Sequence, residues 1–217
     1  MFLLCIIHAY PECIMNIPNN IPGNKEITAV IVAGGRSSRF AGQDKGLLEF
    51  RGKPMVQHII ERLSPQVGRL VINANRNIDE YSKFSLPVIG DLLGEYQGPL
   101  AGISAALDAA TTPYLLTVPC DCPLVPDDLV HQLATAMTNQ GTDIAVAHDG
   151  LQLQQMFMLL SCALSGDLHD FLSAEQRAVR DWLSRHDVAI ADFSGSAQAF
   201  ININSKDDLV ELESGLP

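Results

Sequence analysis

The sequence predicts an α/β fold: a three-layer α/β/α domain on a predominantly parallel, mixed sheet. Three observations carry this expectation. Strand-like apolar runs alternate along the chain with amphipathic helical patterns, the order that yields a parallel sheet covered on both faces. The first of those runs is apolar save for one threonine, as a strand buried on both faces is. Glycines and polar residues gather just past the ends of the runs, where open α/β sheets bind their ligands.

The elements follow in order. Ile27-Thr28-Ala29-Val30-Ile31-Val32 reads as a buried strand that leads into Ala33, Gly34 and Gly35. Pro54 opens a helix, and Val56, Ile59, Ile60 and Leu63 fall at i, i+3, i+4 and i+7 on one apolar face. A second strand is expected over 69–73, then a short helix and a strand near 86–89. A loop over 90–99 precedes a helix over about 100–110, and the fourth strand is expected at 114–118. Pro126 starts another helix with Leu129, Val130, Leu133 and Met137 inward. Strands over 142–147 and 153–160 follow, then helical segments at 164–173 and 176–185. Residues 187–191 and 200–202 read as the last strands, and Ser205-x-x-Asp208 resembles a capping box that opens a C-terminal helix. Residues 27–217 are read as a single domain, and 1–26 as an N-terminal extension, disordered or a misassigned start with Met15 as the true one.

Composition narrows the class. With 217 residues and 47% hydrophobic content, the chain can bury a sizeable core. A net charge of −11 argues against nucleic-acid partners. Its distribution says more. Residues 36–53 hold five basic side chains against two acidic ones, whereas 84–176 contain no lysine or arginine. A local basic loop in an acidic protein suits a small anionic ligand. Five cysteines without zinc-type spacing fit reduced thiols and a cytoplasmic location. No run reaches the roughly 18–20 apolar residues of a membrane span.

The chemistry centres on residues 32–45. A strand that ends in paired glycines lets the backbone approach an anion, and Arg39 and Lys45 add full charges. The segment is neither a P-loop nor a dinucleotide fingerprint, since it lacks both Gly-Lys-Ser/Thr and G-x-G-x-x-G. Lys45 can offset charge on a phosphoryl group in transit or sit as a surface lysine; Arg39 has the geometry to hold a departing phosphate. Asp121, past the end of the fourth strand, can bind Mg²⁺ or cap a turn ahead of Pro123. Asn73 and Asn75 can read a base or ribose or form a turn. Gly98 and Gly102 flank a helix N-terminus, and Asn202 and Asn204 would share a face of one strand. Arg177 and Arg180 can hold a second phosphate or form surface ion pairs. The six histidines lack a partnered Ser or Cys pattern.

Taken together, Val32-Ala33-Gly34-Gly35, Asp44-Lys45-Gly46-Leu47-Leu48, Gly52-Lys53-Pro54, Asn73-Ala74-Asn75-Arg76, Gly98-Pro99-Leu100-Ala101-Gly102, Pro119-Cys120-Asp121 and Asn202-x-Asn204 resemble the molybdenum cofactor guanylyltransferases of the MobA family, over roughly 28–213. The resemblance implies a Rossmann-like nucleotidyltransferase fold and transfer of GMP from GTP to molybdopterin, with release of pyrophosphate. It implies catalytic roles for Lys45, Arg39 and Asp121, with Asp121 as the Mg²⁺ ligand. It implies GTP contacts at Val32, Ala33, Gly34, Gly35, Arg39, Gly42, Lys45, Asn73, Asp91, Gly98, Gly102 and Asp121. Asn202, Asn204 and Arg177 fall to the molybdopterin side, which would occupy 141–217 as GTP would occupy 27–140. Implied partners are GTP and molybdopterin as substrates, with transient contacts to other cofactor-biosynthesis proteins and apo-molybdoenzymes, and neither nucleic acid nor membrane. Ala33-Gly34-Gly35 stands where CTP-using relatives carry Ala-Ala-Gly, which favours GTP. Cys122 and Gln155 depart from the family pattern. The alternatives are a CTP-dependent or sugar-phosphate nucleotidyltransferase, and a non-catalytic carrier of GTP and pterin.

Overall fold

The computed structural model describes residues 21–33, 44–91 and 98–215. The expectations for 1–20, and those for Gly34, Gly35, Arg39 and Gly42, lie outside these residues. The strands are β1 (Ile27–Val32), β2 (Glu49–Phe50), β3 (Lys53–Pro54), β4 (Arg69–Asn73), β5 (Val88–Ile89), β6 (Tyr114–Pro119), β7 (Ile144–His148), β8 (Leu153–Ser161) and β9 (Val188–Asp192). The helices are α1 (Met55–Leu63), α2 (Ile78–Ser82), α3 (Pro99–Ala109), α4 (Leu129–Gln140), α5 (Ser165–Ser173), α6 (Val179–Leu183) and α7 (Lys206–Gly215). Seven strands form one sheet in the order β5-β4-β1-β6-β8-β7-β9, and β2 and β3 make a separate hairpin.

Strands β5, β4, β1 and β6 run parallel, whereas β8 is antiparallel to both β6 and β7. In register, Val32 lies beside both Asn73 and Pro119, so three strands end level with one another. Every residue of β1 is buried, as its near-continuous apolar character requires, and the Thr28 hydroxyl is paired with that of Thr112 at 2.7 Å. Its side chains alternate between two cores. Ile27, Ala29 and Ile31 meet α1 and α4 through Val56, Ile59, Leu63, Leu129 and Leu133. Val30 and Val32 meet α3, α5 and α6 through Leu100, Ile103, Phe171 and Trp182. A small third cluster, Phe50, Met55, Ile203 and Leu212, ties α7 to the β2–β3 hairpin. Among the described residues no helix is long and apolar enough to cross a membrane.

The strand expected at 200–202 is not formed. Residues Ser194–Phe200 make a 3-10 helix, and Phe200 stacks edge-on against Phe157 and Phe193. The apolar signal there comes from this aromatic cluster rather than from a sheet. The chain then runs extended, and the Ile203 N–H donates to the Asp121 carbonyl at 2.9 Å. The helix expected from Pro126 begins at Leu129, and that expected over 176–185 contracts to α6.

The buried Trp182 donates its indole N–H to Asp167 at 2.7 Å, joining α6 to α5. Burial alone would raise the Asp167 carboxyl; the Trp182 hydrogen bond, the charge and hydrogen bond of His186 and the charge of Arg185 outweigh it and hold the group below its ordinary value. A carboxyl lowered in the folded state contributes stability above its unfolded pKa and loses it as pH falls through the folded one. Asp167→Asn is therefore expected to lose on the order of 1 kcal/mol at pH 7, with the difference from wild type narrowing below the ordinary carboxylate range. Urea unfolding at neutral and acid pH measures both.

Candidate active site

The site forms where β1, β4 and β6 end. The chain leaves β1 with the Ala33 N–H bonded to the Asn73 carbonyl at 2.8 Å, and the described residues resume at Asp44. Asp44 is only 5% exposed. It accepts hydrogen bonds from the Tyr81 hydroxyl at 2.6 Å, the Gly46 N–H at 3.3 Å and the Asn77 amide at 3.3 Å. The Arg76 guanidinium lies 3.8 Å away and balances its charge. Burial, with the Asp44 carboxylate beside it, pushes the Tyr81 phenol far above its ordinary pKa, so it remains a donor. Asp44 thereby caps the 3-10 turn of Lys45–Leu47 and sets where Lys45 projects.

The Lys45 ammonium donates to Asp121 Oδ2 at 2.9 Å and to Asn204 Oδ1 at 2.6 Å. Asn204 is fixed in turn by the C-terminal helix. Its N–H and that of Ser205 donate to Asp208 Oδ2 at 2.7 and 2.9 Å, and the Asp208 N–H returns a bond to the Ser205 hydroxyl at 3.0 Å. This is the capping box that the sequence suggested. Asn202 is held from the other side. The buried Cys122 thiol donates to its Oδ1 at 2.7 Å. Burial and then the neighbouring Asp121 carboxylate hold that thiol well above its ordinary pKa, so it stays protonated.

Beyond β1, Asn73 and Asp91 meet as the strand-end rule predicted. Asp91 accepts from the Asn73 amide at 2.9 Å and the Asn75 amide at 2.7 Å, and its own N–H donates to Asn75 at 2.8 Å. Asn73 is 1% exposed, and its Oδ1 has no hydrogen-bond partner among the described residues. It presses on α3 at Gly102, where an added Cβ would overlap Oδ1 and lie 2.8 Å from Cγ. Gly98, at φ +85°, precedes α3, and Pro99 occupies its first turn.

A cleft of about 540 Å³ runs along these strand ends, lined by Val32, Ala33, Lys45, Asp121, Asn202 and the start of β8 among others. The predicted Lys45, Asp121, Asn202 and Asn204 thus converge. Arg177 does not line this cleft: its guanidinium donates to the carbonyls of Leu172 and Gln176, both at 2.7 Å, near the end of α5. The anchoring role of Asp44 with Tyr81, and the thiol clamp on Asn202, escaped sequence reasoning. Asp44 directly before Lys45 was the local signal for the first, and Cys122, as a departure from the family pattern, for the second.

Among the described residues no group of three or more His, Cys, Asp or Glu gathers to bind a metal. Asp121 alone, beside the amides of Asn202 and Asn204, still fits Mg²⁺, which takes one or two protein carboxylates and completes its shell with phosphate oxygens and water.

A mostly parallel sheet whose strand ends carry a lysine–carboxylate pair over an open cleft can hold the phosphates of a nucleotide, as a nucleotidyltransferase requires. Residues 29–190 match the family described as MobA-like NTP transferase domain. A molybdenum cofactor guanylyltransferase of Shewanella loihica is 42% identical over 191 residues, covering 88% of this chain and 97% of that one. Another, of Ralstonia nicotianae, is 44% identical over 196 residues, covering 86% and 96%. In fold, the chain is similar to the molybdopterin-guanine dinucleotide biosynthesis protein A of Archaeoglobus fulgidus, with a TM-score of 0.70, 24% identity and coverage of 87% and 97%. It is also similar to a nucleotidyl transferase of Methanothermobacter thermautotroptrophicus, with a TM-score of 0.71, 18% identity and coverage of 88% and 97%. The chain belongs to the MobA-like NTP transferases, and within them to the molybdenum cofactor guanylyltransferases.

Gly102→Ala is expected to force Asn73 out of its place. The cost is about 1–3 kcal/mol of stability, read by urea unfolding, together with a raised KM for the nucleotide in steady-state assays.

Proposed function

We propose that this protein transfers GMP from GTP to molybdopterin, forming the molybdopterin guanine dinucleotide and pyrophosphate. The observation that carries the reading is the meeting of Lys45, Asp121 and Asn204 at the strand ends, in a chain whose curated relatives are named for this transfer. The terminal phosphate of molybdopterin attacks the α-phosphorus of GTP in line. One P–O bond forms to that phosphate oxygen, and the bond to the departing pyrophosphate breaks.

The nucleophile needs no protein base, because a phosphate monoester is already an anion near neutral pH. The protein's task is to position the reactants and stabilise charge. Lys45 supplies a fixed positive charge, held in place through Asp44 and Asn204. Asn202, with its Oδ1 engaged by Cys122, keeps its amide hydrogens for a substrate oxygen. Asn73 and Asp91 border the nucleotide on the β4–β5 side. Asp121 would hold Mg²⁺, which when bound offsets the negative charge of the phosphate oxygens. The free thiols of Cys120, Cys122 and Cys162 fit a reducing, cytoplasmic setting for the reaction.

Lys45→Ala and Asp121→Ala are expected to keep the fold and lose about 10²–10³ in kcat. A pyrophosphate-release assay with GTP and molybdopterin measures this, and near wild-type turnover in either variant would refute the assigned roles. Competition between GTP and CTP in the same assay is expected to favour GTP; tighter CTP binding would overturn the choice of nucleotide.

A further inference from the structure

The start of β8 forms a wall of the cleft that the mechanism above does not use. One step along β7, from Ala147 to Val146, matches four along β8, from Gln154 to Met158. The intervening residues bulge out of the ladder. The bulge is pinned: Thr117 on β6 donates to the Met156 carbonyl at 2.8 Å, and Phe157 is buried against Phe200 with ring centroids 4.8 Å apart. Met156 packs on the core beneath α3 and α5. Gln155, directly before them, lines the cleft and makes no side-chain hydrogen bond among the described residues. Gln154 gives its amide hydrogen to Asp149 at 2.6 Å, which leaves its carbonyl oxygen to accept.

We infer that this bulge is the recognition shelf for the heterocycle of the second substrate, with the Gln155 side chain as a specificity-determining contact to the 2-amino-4-oxo edge of a pterin. The inference rests on the reading of the reaction proposed above, which places the nucleotide beside Asn73 and Asp91. Across the sheet the order is β5, β4, β1, β6, β8, so the shelf lies beyond Lys45 and Asp121 from the nucleotide side. From β4 to β8 is three strand spacings, about 14 Å, room for a dinucleotide to lie across the strand ends with its phosphates over Lys45. The polar side chains that the shelf itself presents to the cleft, Gln152, Gln154 and Gln155, are neutral amides, and no lysine or arginine occurs between 84 and 176. Paired amide donors and acceptors match a neutral heterocycle edge.

The test is Gln155→Leu, similar in size and without the amide. Loss of a hydrogen bond to a recognised polar edge is expected to raise the KM for molybdopterin about tenfold, with the KM for GTP within about twofold. Gln155→Ala, which cannot overpack the bulge, is expected to show the same split, and thermal melting confirms that each variant is folded. Saturation-transfer NMR with 6-hydroxymethylpterin reads the shelf without turnover: contacts in the wild type, weakened in both variants. Guanine presents the same edge, so a rise in the KM for GTP instead would overturn the assignment, as would unchanged values for both substrates or unchanged pterin contacts. If the wild type binds the pterin at Gln155 yet releases no pyrophosphate from GTP and molybdopterin, the proposed reaction fails and the shelf stands.

Discussion

One ammonium group organises this molecule's site. Lys45 is bonded to Asp121, 76 residues onward, and to Asn204, 159 residues onward. Three parts of the chain that share no local structure are thus brought to a single charge. The sheet makes this meeting possible, because β1 and β6 are neighbours and end level. The third cluster makes it rigid, because Phe50 and Met55, just past Lys45, pack on Ile203 beside Asn204. Supports for the lysine come from two directions: Asp44 fixes its backbone, and Asp121 with Asn204 fixes its tip.

Buried polar groups do much of this positioning. Asp44 is a nearly inaccessible carboxylate, and such a group is tolerated only with a nearly full set of donors. Tyr81, Gly46 and Asn77 supply them, and the Arg76 guanidinium adds its charge at 3.8 Å. The same logic recurs at Asp91, satisfied by both Asn73 and Asn75. Each of these carboxylates ties a residue beside a strand end to a neighbouring element: Asp44 to α2 through Tyr81, and Asp91 to the end of β4 through Asn73.

Much of this was legible in the sequence. The near-continuous apolar runs of β1 and β6 and the periodic face of α1 are local signals, and they marked the strands and helix that build the site. The rule that ligands gather at strand ends then brought Asn73, Asp91 and Asp121 into one region with the basic loop that carries Lys45. What was not legible depends on distant partners. Phe200 reads as a strand residue because aromatic clusters and strands share composition; its partners Phe157 and Phe193 lie elsewhere in the chain. The Tyr81–Asp44 bond joins a helix to a loop that no period connects. The thiol of Cys122 reaches Asn202 only because the chain returns past Asp121 at Ile203.

The antiparallel β8 has a consequence for how the protein is made. It lies between β6 and β7 in space but follows both in sequence. As the chain leaves the ribosome, the outer edge of β6 stays unpaired until residue 161 has emerged, and an unpaired strand edge invites association with other chains. Asn204 and the helix that caps it emerge later still. The phosphate end of the site is therefore completed among the last events of synthesis, and a nascent chain stalled within α6 would hold most of the sheet while its lysine still lacks Asn204.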